Sequence, residues 1–392
     1  MLTTDQTAII KSTVSILETG GEALTTHFYK TMLAEYPQVQ PLFNQAHQAS
    51  GAQPRALANG VLMYAKNIDK LQELGPLAAQ IVNKHVALQV LPEYYPIVEA
   101  CLLRAIREVL GADIATDLVI DAWAAAYQQL ADLLISAEEK IYDQLAAAPG
   151  GWRGARAFRV TKKTTESLEI TSFYLEPADG QSVVGFVPGQ YLGLRFTIEG
   201  QEVRRNYSLS AAPNGRSYRI SVKREPGGLV SNFLHDKVSE GDTLDVFPPA
   251  GEFVLQDSGN PLVLISGGVG ITPTLAMAEA ALAQGNREVI FLHYVRNKAA
   301  HAFEKTLKEW AACYPNFRYF VVFEHGEQDQ AHALGRPAIE HLQSVMPPDL
   351  SSDVYFLGPK PFMAAIKKFL TALGLPGERC RYEFFGPAEA LG

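Results

Sequence analysis

The hydrophobic period of this chain changes at one place, Ala146-Ala147-Ala148-Pro149-Gly150-Gly151. Before it, apolar residues recur at helical spacing and no strand signal interrupts them. Beyond it, the runs shorten and alternate. A helical pattern does not sit still as a strand, so a single architecture across both halves is excluded, and Pro-Gly-Gly reads as a linker. Length agrees, because 392 residues exceed one ordinary core.

Upstream of the linker, Leu24, Phe28, Met32 and Leu33 share a helical stripe that Tyr36-Pro37 ends. Ser50-Gly51-Ala52-Gln53-Pro54 is a break. Pro54 suits a first helical turn but disfavours helical geometry at Gln53 before it. Helix resumes through Leu57, Val61, Tyr64 and Ile68. The next spans Leu77 to Leu88 and ends near Val90-Leu91-Pro92. Another begins at Glu93, carries Ile97, Val98, Cys101, Leu102, Ile106 and Val109, and stops at Gly111. The last runs from about Ala112, with Trp123, Tyr127, Leu130, Leu134, Glu138 and Ile141 on one stripe.

Two residues on these stripes are out of character. His85 shares the apolar face of its helix with Leu77, Ile81, Val82 and Val86. It is either a core histidine bonded to a neighbouring helix or an axial ligand to a haem iron across an apolar pocket. Glu138 is a carboxylate among aromatic and aliphatic residues, costly unless paired. An imidazole N–H is one suitable partner; water at a helix end is the other reading.

Downstream, from Arg159, β-rich runs cover Ser167 to Leu175, Gln190 to Ile198, Ser217 to Val222 and Asp242 to Val246. They predict an antiparallel barrel of about six strands. Near Pro261 the pattern changes again. Leu262–Ile265, Val289–Leu292, Phe317–Val322 and Val354–Leu357 alternate with helical stretches, which predicts a parallel sheet. The expected architecture is multidomain: an all-α domain over 1–148, an antiparallel β-barrel over 149–258, and an α/β parallel-sheet domain over 259–392.

Composition narrows the partners. A net charge of −8 argues against nucleic acid, whose phosphates need a basic face. No apolar run approaches a membrane span, and the first residues lack a secretory pattern. Cys101, Cys313 and Cys380 form no CxxC pair, so a four-thiolate iron–sulfur cluster is excluded and a reducing cytoplasm is the expected location. No obligatory protein partner is expected.

Gly268-Val269-Gly270-Ile271-Thr272-Pro273 follows a strand and opens a helix. Such a turn lets backbone approach a pyrophosphate at a helix N-terminus. It departs from GxGxxG, because Pro273 stands where the third glycine would fall; a plain tight turn is the alternative. The barrel carries Pro188-Gly189-Gln190-Tyr191, Arg205-Asn206-Tyr207-Ser208 and Lys223-Arg224-Glu225-Pro226-Gly227-Gly228. Singly, these read as an edge proline, a cross-strand aromatic and a hairpin turn. Together they supply a flavin site: arginine for the pyrophosphate, tyrosines for the ring system, and serine or backbone groups for its nitrogens.

On these motifs, residues 153–392 resemble the ferredoxin–NADP reductase superfamily. The resemblance implies that Tyr191, Arg205, Asn206, Tyr207 and Ser208 bind FAD. It also implies that Gly268 to Pro273 and Leu357-Gly358-Pro359 hold the nicotinamide nucleotide, with leucine where the family usually has cysteine. The segment Glu383-Phe384-Phe385-Gly386-Pro387 resembles the one that covers the flavin ring. With residues 1–145 similar to a globin, the whole chain resembles the flavohaemoglobins. That resemblance implies haem b with His85 as iron ligand and Tyr29 and Gln53 on the distal side. Phe43 and Leu57 would pack on the haem, Tyr95 and Glu138 would bond the ligand histidine, and Lys84 would bridge toward flavin or propionate.

The implied activity is nitric oxide dioxygenase: NAD(P)H reduces FAD, FAD reduces haem, and NO and O₂ become nitrate. A haem/flavin peroxide or quinone reductase, and an O₂/NO sensor or carrier, are the alternatives. For NADH against NADPH, Arg296 and Lys298 lean toward a 2′-phosphate, while a solvated turn reads equally well.

Overall fold

The computed structural model describes residues 2–327 and 331–386. They fall into two compact units. One holds the helical segment through Ala147 with Arg195–Arg205 and Gly386; the other holds Ala148–Leu194 and Asn206–Phe385.

The helical segment comprises α1 (Thr4–Ser12), α2 (Val14–Glu35), α3 (Gln45–Ala49), α4 (Ala52–Lys66), α5 (Gly75–Leu88), α6 (Tyr95–Leu110) and α7 (Asp117–Ala147). Its core is the predicted stripes packed together: Leu24, Phe28 and Met32 of α2 with Tyr64, Cys101, Leu102, Ile106 and Trp123. Pro76 in the first turn of α5 is preorganised for a helix start, and Gln89 ends that helix at φ 55°, in left-handed geometry.

Three boundaries differ from expectation. A short 3-10 turn (Pro92–Tyr94) precedes α6, because Pro96 would be the fourth residue of a helix begun at Glu93, where its N–H is needed, but falls in the first turn of one begun at Tyr95. α7 starts at Asp117 rather than Ala112, since Ile114 and Ala115 N–H turn back to Gly111 O, which sits at φ 77°. Gln53 lies inside α4, not outside helical geometry. Gly51 takes the left-handed cap at φ 72°, and Pro54 falls in the first turn, where its missing N–H would have had no helical partner.

The barrel strands are β1 (Arg156–Thr165), β2 (Ile170–Pro177), β3 (Tyr191–Ile198), β4 (Gln201–Ser208), β5 (Tyr218–Lys223) and β6 (Thr243–Val246), in the order β4-β3-β6-β1-β2-β5. β1 pairs antiparallel with β2 and β6, and β2 with β5. Leu209, just past β4, bridges Ile220 on β5, as barrel closure requires. A helix absent from the sequence reading, α8 (Leu229–Lys237), follows Gly227-Gly228, so that glycine pair opens a helix rather than a hairpin.

The last sheet is parallel throughout its pairings: β7 (Leu262–Gly267), β8 (Val289–Val295), β9 (Phe317–Phe323), β10 (Ala333–Leu334), β11 (Asp353–Leu357) and β12 (Cys380–Tyr382), ordered β10-β9-β8-β7-β11-β12. The four long apolar runs form its centre, and β10 and β12 are short edge strands. Helices α9 (Ile271–Gln284), α10 (Glu304–Cys313), α11 (Ile339–Val345) and α12 (Lys360–Leu373) connect them. Apolar clusters lie on both faces of the sheet, as buried parallel strands require. Among the described residues, no single helix is long and apolar enough to cross a membrane.

Candidate functional site

In the helical unit, α5 presents His85 to α7. His85 Nδ1 lies 2.7 Å from Glu138 Oε1, and Tyr95 Oη donates to the same oxygen at 2.7 Å. Glu138 is only 2 % exposed, so these two donors meet the cost of burying its carboxylate. Tyr95 stays protonated: burial, then the adjacent Glu138 charge, pushes its pKa far above the phenol range. With Nδ1 engaged, Nε2 is the nitrogen left to ligate a metal.

Two further tyrosines of α7, to which the sequence reading gave no role, brace this triad. Tyr127 Oη donates to Tyr95 O at 2.9 Å, and Tyr142 Oη donates to Val90 O at 3.0 Å. Tyr142 stands one turn beyond Glu138 on the same stripe, and that spacing was the available signal.

On α2, Tyr29 is buried and packs edge-on against Phe43, with ring centroids 5.4 Å apart. Gln53 Nε2 donates to Tyr29 Oη at 3.3 Å. Burial pushes the Tyr29 pKa up to about 12, against a smaller lowering by Gln53, so the phenol remains a donor at neutral pH. Because its oxygen already accepts from Gln53, its proton is free for another acceptor. Phe43 and Leu57 are both half-buried apolar side chains on the core. Half-buried apolar groups, and a histidine in the same unit whose Nε2 makes no bond among the described residues, fit a haem. Lys84 Nζ donates to Gly386 O at 2.6 Å within this unit.

The flavin motif lies on β4. Alternation places Arg205 and Tyr207, both half-buried, on one face; Asn206 is exposed and Ser208 buried. Tyr191 is buried at the start of β3, and Gly251 makes room for it: a Cβ there would stand 2.7 Å from Tyr191 Cε1. Burial raises the Tyr191 pKa strongly, with Glu383 the next contributor and Glu252 after it. Glu383 and Phe384 follow edge strand β12, and Phe384 meets Tyr382 edge-on at 6.0 Å. Phe385 is exposed; Pro387 lies outside the described residues. The nine-residue α8 begins after Gly228 with no side-chain cap, leaving first-turn N–H donors for an anion.

The nucleotide motif sits where β7 turns into α9. Gly268–Gly270 form a 3-10 turn, Ile271 starts α9, and Thr272 Oγ1 donates to Val269 O at 3.0 Å. Pro273 falls in the first turn of α9, where no N–H is needed, so its departure from GxGxxG costs no helical bond. A Cβ on Gly270 would overlap the Leu357 carbonyl, and one on Gly358 would stand 3.2 Å from Gly267 Cα. The two predicted segments, Gly268–Pro273 and Leu357-Gly358-Pro359, therefore meet at the C-terminal ends of adjacent strands, where α/β sheets bind nucleotides. Arg296 and Lys298 are ion-paired with Glu169 and Glu304, through contacts exposed enough that a phosphate could still compete for either.

Three family models cover the chain. Globin matches residues 26–134, Oxidoreductase FAD-binding domain matches 157–255, and Oxidoreductase NAD-binding domain matches 264–368. A flavohemoprotein of Pseudomonas aeruginosa is 64% identical over 392 residues, covering 100% of both chains. The chain is a member of the flavohemoprotein family. A flavohemoprotein of a Burkholderia species is 62% identical, again covering 100% of both chains. A flavohemoglobin from Malassezia yamatoensis, solved with bound FAD and heme, superposes with TM-score 0.86 at 28% identity, covering 98% of this chain and 100% of that one. The FAD/NAD-binding domain of a nitric oxide dioxygenase from Vibrio cholerae is 39% identical, with TM-score 0.56, covering 60% of this chain and 100% of that one. This flavohemoprotein thus joins a haem-binding globin module to an FAD- and NAD-binding oxidoreductase module.

Proposed function

We propose that this flavohemoprotein is an NAD(P)H-dependent nitric oxide dioxygenase, converting NO and O₂ to nitrate, and that the predicted residues act as the geometry arranges them. When bound, the three groups supply the redox chemistry: a hydride from the nicotinamide, its division into single electrons by the flavin, and an iron centre for O₂. His85 would hold the iron through Nε2; Arg205, Tyr207 and Ser208 would hold FAD; Gly268 to Pro273 would hold the nucleotide.

The observation that carries this reading is the Gln53–Tyr29 hydrogen bond. It occupies the phenol oxygen and directs the phenol proton elsewhere, toward an oxygen reactant in the same apolar space. A fixed donor of this kind stabilises negative charge developing on oxygen without reorganisation. Glu138 accepts a hydrogen bond from His85 Nδ1–H, which would make the imidazole a stronger electron donor through Nε2. A reductase on the same chain keeps the electron source at high effective concentration. The name of the Vibrio cholerae relative of the reductase half points the same way.

The test is steady-state turnover of the purified holoprotein under O₂, with and without NO. The reading requires NO to accelerate NAD(P)H oxidation and nitrate to form in proportion. Turnover indifferent to NO but driven by peroxide or a quinone would overturn it in favour of a reductase of those substrates.

A further inference from the structure

Gly21, Thr25 and Tyr29 stand one turn apart on α2, all buried, and so share one stripe. The facing residues belong to the first turns of α4. A Cβ on Gly21 would lie 3.5 Å from Ala58 Cβ. Thr25 Oγ1 donates to Pro54 O at 2.8 Å, and Gln53 Nε2 donates to Tyr29 Oη at 3.3 Å. The two helices thus approach closely at Gly21 and are joined by two successive hydrogen bonds, of which the second is the distal pair.

Thr25 Oγ1 also lies 3.0 Å from Gly21 O and 3.2 Å from Glu22 O. A hydroxyl has one proton. Back-bonding to its own helix is the local alternative for a mid-helix threonine, but Pro54 O is the nearest of the three acceptors. The start of α4 needs such an anchor. Gly51 caps that start without a side chain, so no capping hydrogen bond holds it. Arg55, on the outer face, reaches Ser50 O and Glu22 only through exposed contacts, which hold weakly.

The geometry points to Thr25 as the positioning residue of the distal pair: its bond to Pro54 O fixes the first turn of α4 against α2 so that Gln53 meets Tyr29. This inference rests on the distal roles proposed above. Thr25 acts through the backbone beside Gln53 and touches no reactant.

The test uses the full-length holoprotein. Thr25→Val keeps shape and removes the donor; Thr25→Ser keeps the donor. Both are made in the wild-type and Gln53→Leu backgrounds. O₂ dissociation is followed by stopped flow, and amide hydrogen exchange is followed over residues 52–58. Thr25→Val should release O₂ roughly 2- to 10-fold faster, the worth of one hydrogen bond, and raise exchange over 52–58. Thr25→Ser should match the parent in both. In the Gln53→Leu background, Thr25→Val should add nothing to O₂ release, because the residue it positions is gone. Unchanged release and exchange in Thr25→Val, or an effect that persists in full without Gln53, would overturn the inference. Should Thr25→Val fail to hold haem, the contrast of Thr25→Ala with Thr25→Ser decides it. If Tyr29→Phe and Gln53→Leu leave O₂ release unchanged, the distal reading itself fails, while exchange over 52–58 still reports on the Thr25 anchor.

Discussion

His85 Nδ1 and Glu138 Oε1 are 2.7 Å apart, and the carboxylate end of that bond is shut away from water. The pair makes the orientation of the imidazole a property of α7 as much as of α5. Glu138→Gln keeps the shape but removes the negative charge. The expected result is a higher haem reduction potential and a loss of turnover on the order of 10- to 100-fold, typical of a partner bonded to a ligating histidine. Potentiometric titration beside steady-state assay reads both; a wild-type potential with wild-type turnover would show that the carboxylate only fills space.

In the proposed reading Tyr29 is the distal donor: Gln53 bonds to its oxygen, and burial keeps its proton in place. Tyr29→Phe removes one hydrogen bond to a polar ligand, worth about 1.5–3 kcal/mol when charge is involved. O₂ should therefore dissociate about 10- to 150-fold faster, while the rate of flavin reduction by NAD(P)H stays unchanged. Stopped-flow measurement of both rates separates the distal role from general damage.

The nucleotide-binding sheet carries a pH dependence of its own. His293 is buried beside Ser266, with Ser266 Oγ 2.9 Å from Nδ1. Burial, then neighbouring His301, lowers its pKa to about 3; burial lowers that of His301 to about 4. Both are neutral in the folded chain. Below about 6.5 the unfolded chain binds protons that the folded chain does not. The stability from these groups is therefore complete above that pH and is lost as pH falls toward 4 and 3. Each such histidine contributes a slope of about 1.4 kcal/mol per pH unit in that window. Urea midpoints of the full chain at pH 7, 6 and 5 should fall on acidification, and His301→Asn should flatten the fall. Equal slopes in both proteins would exclude this pair as the cause.

What could be read from the sequence follows from which residues carry their physics locally. Glu138 was legible because a carboxylate on an apolar stripe demands a partner, and His85 on another stripe supplied one. The four central strands of the last sheet were legible as continuous apolar runs. Strands β10 and β12, with two and three residues, are too short to show a period. Helix α8 buries only Val230 and Leu234, so Gly227-Gly228 dominated its reading. Gln53 was misjudged for a tertiary reason. The preference of a residue before proline is a local bias, and here Gly51 and the Thr25–Pro54 bond set the helix start instead. The ion pairs that occupy Arg296 and Lys298 join residues distant or unmarked in sequence, and no local pattern announces them.

Gly270 offers the sharpest test of the nucleotide turn. Its φ of −60° is ordinary, so any residue could adopt its backbone conformation. Space is what forbids a side chain, because a Cβ would overlap the Leu357 carbonyl on the neighbouring strand. That obstacle is backbone, not the movable end of a side chain, so Gly270→Ala must push the β7–α9 turn away from the Leu357-Gly358-Pro359 turn. Overpacking of this kind costs about 1–3 kcal/mol, and it falls where the nucleotide would meet the N-terminus of α9. The expected outcome is a KM for NAD(P)H raised at least several-fold, with O₂ dissociation from the globin module at its wild-type rate. Nucleotide titration and stopped-flow release, run on the same preparation, check the two halves. A wild-type KM in a folded Gly270→Ala protein would mean that the close approach of the two turns does not shape the nucleotide site.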